Sequence, residues 1–404
     1  MSEATTQQHG NITLREERVL PSGEREFMLD VRTSDLEVNM GPQHPATHGV
    51  MRILIRTDGE LVTGAQPHLG YLHRCAEKIG ETLAPYQFIP YSDRMDYLAG
   101  MNNNLAYSLT VERLTGLEAE ITPRARHIRV IFAELNRIAS HLIAIGTYGL
   151  DIGAFTPFFY AFREREWILD LFESACGARL TYSYITIGGL SHDLPDGFVD
   201  RCIEFLDYFE PKIPEYNDLL SYNHIFVKRT ANVGVISAED ALAYGLTGPI
   251  LRASGVRWDL RKVQPDCGYE EYEFDVPIGE GTQGTVGDCW DRYFVRMCEM
   301  EQSVRIIRQA LERLRGTEGQ ETQHKKGKTI KLPADEVYYE IENPRGQLGF
   351  LVRGNGSVIP ERVKARGPSF CNLGIVDKAC REVLLADVAA IVGSLDVVMG
   401  EVDR

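Results

Sequence analysis

The chain has 404 residues, with Lys+Arg 43 against Asp+Glu 58 and a formal net charge of -15. Such a length allows roughly two or three domains around a substantial core. The acidic balance argues against a nucleic-acid partner, because phosphate binding needs a basic face.

Residues 1–34 are polar, lack a sustained period and are expected to form an extended arm with no exported signal segment. From Asp35 the pattern alternates through LEVNM, VMRILIRT and ELVTGAQ, with Asp58-Gly59 between the last two, which predicts a small antiparallel sheet closed by a hairpin. Inside that region GPQHPATHG, at 41–49, sets His44 and His48 in an irregular loop, since Pro42 and Pro45 forbid a helix. Two histidines four apart make a metal pair only on a shared helix face. His48 is therefore expected to move a proton or hold a hydrogen bond, the plainer alternative being that it satisfies a backbone group.

Apolar residues three and four apart predict helices over 102–116, 124–149, 157–177, 195–222 with a break at Pro211 or Pro214, 238–244 and 288–315. The longest apolar region, 128–145, carries Arg129, Glu134, Asn136, Arg137 and His141, which a bilayer-spanning helix would not. GEGTQG at 279–284 spells a dinucleotide fingerprint but has no βαβ unit around it, so a flexible loop is expected there. After a charged loop at 316–327, VYYEIEN and LGFLVRG around NPRGQ predict a second hairpin, and 377–392 a final helix. The expected fold is α+β, a central helical bundle with small antiparallel sheets at its ends. Its expected divisions are 1–34, 35–100, 101–327 and 328–404.

The eight cysteines, Cys75, Cys176, Cys202, Cys267, Cys289, Cys298, Cys371 and Cys380, include no C-x-x-C pair, which argues against a zinc ribbon or an iron-sulfur ligand set in this chain. Each is expected to be a core thiol of a reducing compartment. Tyr97 has the alternatives of a proton donor or a half-buried aromatic tied to the backbone. For Asp151 the alternatives are a carboxylate at a site or a cap for the next helix.

GYLHRCAEK at 70–78, PYSDRMDY at 90–97, LDIGAFTPFF at 150–159, SGVRWDLRK at 254–262 and GEVDR at 400–404 join the histidine loop in one collinear set. Over roughly residues 35–404 the chain resembles the quinone-site, 49 kDa-type subunit family of respiratory complex I, the proton-translocating NADH:quinone oxidoreductase. The resemblance implies a quinone headgroup held between His48 and Tyr97, with Asp151 behind the histidine. It also implies Arg74 and Arg94 beside the last iron-sulfur cluster, which belongs to the neighbouring component B; the alternative is an ion pair with Glu77 or Asp93. Quinone would be the substrate, with no cofactor or metal on this chain and with NADH, FMN and clusters on partners. Those partners would include complex I components B, C and I and membrane component H, with the chain peripheral on the cytoplasmic side of the cell inner membrane. Many family members have a histidine after SACGAR where this chain has Thr181, and a hydroxyl cannot replace its titration.

A more distant similarity links the chain to the large subunit of nickel-iron hydrogenases, whose cysteine pairs have no counterpart in PYSDRMDYLAG or GEVDR. That departure implies a vacated metal cavity taken over by the quinone. A hydrogenase-type metalloenzyme would contain nickel, and a purely scaffolding role would tolerate replacement of His48, Tyr97 and Asp151.

Overall fold

The computed structural model describes residues 12–19, 25–31, 36–42, 49–324 and 330–404, the first two stretches by their backbone. His44 and His48 lie outside the described residues. The N-terminal arm is not one extended run: β1 (Ile12–Val19) and β2 (Arg25–Val31) pair antiparallel. The next sheet matches the alternation, with order β3-β4-β5 from Leu36–Met40, Arg52–Asp58 and Leu61–His68. Its inward residues, Ile53, Ile55, Val62 and Ala65, are buried.

Two short helices follow that the pattern did not announce, α1 (Ala76–Gly80) and α2 (Pro85–Ser92). The bundle is built on α3 (Gly100–Thr115), α4 (Pro123–Ile152) and α5 (Thr156–Cys176). Local chemistry sets the limits of α4. Thr122 accepts the Ala125 amide at 3.3 Å, Pro123 occupies the first turn, and Gly153 closes the helix in the left-handed region. A small ribbon, β6 (Ile185–Thr186) with β7 (Gly189–Leu190), leads to α6 (Phe198–Phe209) and α7 (Lys212–Tyr216), broken at Pro211 as expected. Then come α8 (His224–Thr230), α9 (Ala238–Ala243), α10 (Gly248–Ala253), α11 (Leu260–Val263) and the long α12 (Cys289–Leu314). α4 packs against α3, α5, α12 and α15 (Leu385–Ser394), whose place in the chain is given below.

The five polar residues of 128–145 all point inward and are fully buried. Arg129 pairs with Glu112 of α3 at 2.6 Å, Glu134 with Arg137 and Arg261, and His141 Nε2 lies 2.9 Å from Glu299 of α12. Among the described residues no helix is long and apolar enough to cross a membrane.

The C-terminal sheet has order β10-β9-β8, from β8 (Glu336–Asn343), β9 (Gly346–Arg353) and β10 (Arg362–Arg366), so the predicted hairpin gains a third strand. Its turn packs on the start of α10 so closely that a Cβ on Gly346 would lie 2.8 Å from the Gly248 amide nitrogen. After α13 (Pro368–Leu373), the predicted single helix over 377–392 is instead α14 (Val376–Ala379) and α15. Backbone pairing with β5 breaks it: Glu382, at φ 60, donates to Val62 O at 2.8 Å, and Val62 donates to Val383 O at 2.9 Å. The chain ends in α16 (Met399–Asp403).

The GEGTQG loop is closely packed, against the expectation of flexibility. A Cβ on Gly279 would lie 1.9 Å from Ala253 O, and Asp291 accepts the Gly281 amide at 3.1 Å. Cys202, Cys289 and Cys380 are core thiols, whereas Cys75 is exposed, its Sγ 3.6 Å from His73 Nε2.

Candidate functional site

Motifs that are far apart in the sequence converge where the C-terminal tail meets the 70–75 loop. Asp403 accepts the amides of Gly70 at 2.8 Å and Leu72 at 2.7 Å, and its carbonyl lies 2.6 Å from His73 Nδ1. Arg74 donates its amide to Arg404 O at 3.2 Å, and the Arg404 side chain reaches Glu77 at 3.2 Å. A carboxylate accepting two amides fixes loop direction as well as position. The GYLHRC and GEVDR motifs are thus two halves of one clamp.

Beside the clamp runs the 93–99 turn. Asp93 accepts the amide and hydroxyl of Ser183 at 2.9 and 2.8 Å, while burial, opposed by those bonds, raises its carboxyl to about 6. Thr181 stands two residues before Ser183, half-buried in the same turn. Asp96 is fully buried and pairs with Arg345 at 2.9 Å, and also accepts the amides of Leu98 and Ala99 at 3.2 Å. Arg345 itself donates to Asp396 Oδ1 at 3.2 Å, Asp396 O at 2.9 Å and Ser140 Oγ at 3.0 Å.

Tyr97 is half-buried at the edge of this cluster. Burial raises its phenol above the usual range; Arg345 and Arg74 oppose the rise, and Asp96 and Asp396 reinforce it. The phenol is therefore a neutral hydrogen-bond donor over the whole physiological range. Arg74 and Arg94 are exposed and each donates to a backbone carbonyl, Arg74 to Arg94 O and Arg94 to Pro90 O at 2.5 Å. The ion pairs weighed for them are made by other groups: Glu77 bonds Lys364 at 3.1 Å and Arg404, and Asp93 bonds Ser183.

Asp151 lies in the last turn of α4, half-buried, its carboxyl raised to about 7 by burial. It does not cap α5, whose N-cap is Phe155 without a side-chain bond. It faces α15 instead: a Cβ on Gly393 would stand 2.8 Å from Asp151 Oδ2. The end of α15 returns to the Tyr97 cluster, because Asp396 donates its amide to Gly393 O at 3.2 Å. Asp151 meets the end of α15 at Gly393, and Asp396 just beyond that end acts on Tyr97, while His48 lies outside the described residues.

Pattern reasoning missed Arg345, Asp396 and Glu401. Arg345 sits in a two-residue hairpin turn, a place where charge usually faces water, yet it is 1% exposed. The available signal was charge inside an apolar run: Asp396 and Glu401 interrupt AAIVGSLDVVMGEV. Among the described residues no three His, Cys, Asp or Glu side chains gather as a metal site.

The family model for the 49 Kd subunit of respiratory-chain NADH dehydrogenase matches residues 151–404. The D 1 subunit of NADH-quinone oxidoreductase from Cytophaga hutchinsonii is 51% identical over 386 residues, spanning 94% of this chain and 98% of its own. The D subunit from Chlorobium phaeobacteroides is 49% identical over 404 residues, 100% of this chain and 98% of its own. Its counterpart from Chlorobaculum tepidum is 49% identical over 401 residues, 98% of this chain and 100% of its own.

Proposed function

The chain belongs to the 49 kDa subunit family of the respiratory NADH dehydrogenases, and we propose that it forms one wall of the quinone-headgroup site and donates protons as quinone is reduced. The observation that carries this is Tyr97: a neutral phenol set half-buried beside Arg345 and Asp96, on a turn adjoining the clamp between the 70–75 loop and the C-terminal tail.

A quinone carbonyl accepts a hydrogen bond but is too weak a base to take a proton from a phenol, whose reference pKa is about 10. Two electrons make the same oxygen strongly basic. Tyr97 then gives up its proton only after charge arrives, and His48, with a reference pKa of about 6.5, supplies the second. Asp151 orients the imidazole and balances its charged form, and its own carboxyl changes state close to neutrality.

The electrons come from an iron-sulfur cluster on the neighbouring component B, fed by NADH through FMN on other chains. Arg74 and Arg94, exposed beside Tyr97, present fixed positive charge to that cluster. Component B supplies the facing wall, components C and I complete the peripheral arm, and membrane component H receives the quinone tail. In this reading the chain sits peripherally on the cytoplasmic side of the inner membrane.

His48→Ala or Tyr97→Phe in the assembled complex lowers quinone reduction by at least roughly tenfold. NADH oxidation by ferricyanide stays at the wild-type rate. Normal quinone turnover in both variants would refute the assignment.

A further inference from the structure

Glu401 is 1% exposed, and only one of its carboxyl oxygens is engaged. Oε2 accepts the Ser369 amide at 3.0 Å, while Oε1 is buried without a partner among the described residues. The side chain packs closely against Gly367, where a Cβ would lie 2.4 Å from Glu401 Cγ. The residue before it presses α16 onto the turn that carries Asp96 and Tyr97: a Cβ on Gly400 would come within 2.6 Å of Met95 O.

The charges facing Glu401 come from every neighbouring element. Asp96 of the turn and Arg345 of the β8–β9 hairpin act on it directly, Arg345 pairs with Asp396 at the end of α15, Asp396 pairs with Arg296 of α12, and Arg74 reaches Gly400 from the 70–75 loop. The buried carboxyls are Asp96, Asp396 and Glu401, and the buried guanidiniums are Arg345 and Arg296. With every group ionised these five buried groups hold one more negative charge than positive, the exposed Arg74 standing outside them, at a large desolvation cost. A proton on one carboxyl removes the excess. Asp96 and Asp396 bind Arg345 directly, at 2.9 and 3.2 Å, and Glu401 has no guanidinium bond among the described residues, so Glu401 keeps the proton. Burial and the repulsion of Asp96 raise its carboxyl to about 8 against Ser369 and Arg345.

We propose that Glu401 is the proton store for Tyr97, holding a proton while the phenol is intact and passing it on once the phenol has given up its own. The step rests on the donor role assigned to Tyr97 above. Two electrons reach the quinone from the cluster on the neighbouring chain, the phenol O–H breaks, and a new O–H forms on the ring oxygen. The phenolate then takes the Glu401 proton past Asp96 and Arg345, whose charges act on both groups. Solvent returns a proton to the Glu401 carboxylate, so the chain ends each turnover unchanged. The transfer runs downhill, from a carboxyl at about 8 to a phenol held above its usual range.

The test is quinone reduction by the intact complex carrying Glu401→Gln, assayed with a short-chain ubiquinone across pH, with ferricyanide reduction as the control. Glutamine keeps the shape of the protonated acid and has no proton to release. Quinone reduction is expected to fall roughly tenfold at neutral pH. The wild type is expected to decline as pH rises through about 8 and the glutamine variant to lack that decline, with ferricyanide reduction unchanged. Wild-type rates, or a lower rate with the alkaline limb intact, would overturn the proposal. If the glutamine variant does not assemble, Glu401→Asp should assemble with its alkaline limb displaced, and an undisplaced limb would also overturn it. Tyr97→Phe separates the two claims. Normal turnover there removes the donor role itself, whereas slow turnover beside a normal Glu401→Gln complex removes the proton store alone.

Discussion

Two of the buried charge clusters among the described residues are built differently. In the bundle, Glu134 accepts from Arg137, Arg261, Tyr269 at 2.7 Å and Ser303 at 2.6 Å. Glu299 and Glu342 share Arg252 at 2.7 and 2.8 Å, and their remaining oxygens take His141 and the Leu260 amide. Each oxygen of these three carboxylates has a donor. At the Tyr97 edge, Glu401 Oε1 is buried without a hydrogen bond among the described residues. Fully bonded carboxylates tie helices together, while a bare buried oxygen favours holding a proton. The first cluster is architecture; the second can change its charge.

Breaking the first cluster has the largest expected effect. Arg252→Ala leaves Glu299 and Glu342 buried without the guanidinium they share, at about 3–5 kcal/mol. Thermal denaturation should show a large loss, and quinone and ferricyanide activities should fall together as assembly fails. A stable variant would mean that the bundle charges do not hold the helices.

Gly393→Ala probes the joint between the two regions. Its Cβ would stand 2.8 Å from Asp151 Oδ2 and 3.0 Å from Tyr148 Cδ2, so overpacking should cost about 1–3 kcal/mol. The same melting assay reads it, and an unchanged midpoint would show that α4 and α15 have slack between them.

Asp151→Asn should give a smaller, pH-dependent change. The folded carboxyl titrates at about 7, above its unfolded value, so its contribution to stability is complete below about pH 4 and is lost as pH rises through 7. Asparagine does not titrate. The variant should therefore gain on the wild type in melting temperature between about pH 4 and 7. A constant difference across that series would mean that the carboxyl is solvated in the folded chain.

Tyr97→Phe has the least effect on folding. Its ring sits half-buried at the edge of the cluster, and phenylalanine keeps that ring, so stability should stay within about 0.5 kcal/mol while quinone reduction collapses. Parallel loss of stability and rate would place Tyr97 with the architectural cluster instead.

Much of the fold was legible where the cause is local. Alternation marked β3 to β5, three-and-four spacing marked α3, α4, α5 and α12, and Pro211 marked the break before α7. Short elements were not legible: α1 and α2 have too few residues for a period, and Pro90 lies inside α2. Of the candidate residues, Tyr97, Arg74 and Arg94 were named from motifs that lie close together in the fold. Arg345, Asp396 and Glu401 were not, since a hairpin turn and an apolar run predict neither burial nor pairing.

The amino-acid sequence by itself determined where helices and strands form and what stops them, because side-chain periodicity, proline and glycine act within a few residues. Tertiary structure alone decided that 377–392 would be cut by pairing with Val62, that Arg345 would turn inward, and that Asp403 would close the loop at Gly70. Those outcomes depend on hydrogen bonds and charges hundreds of residues apart, and burial strengthens such interactions only after the chain has brought them together.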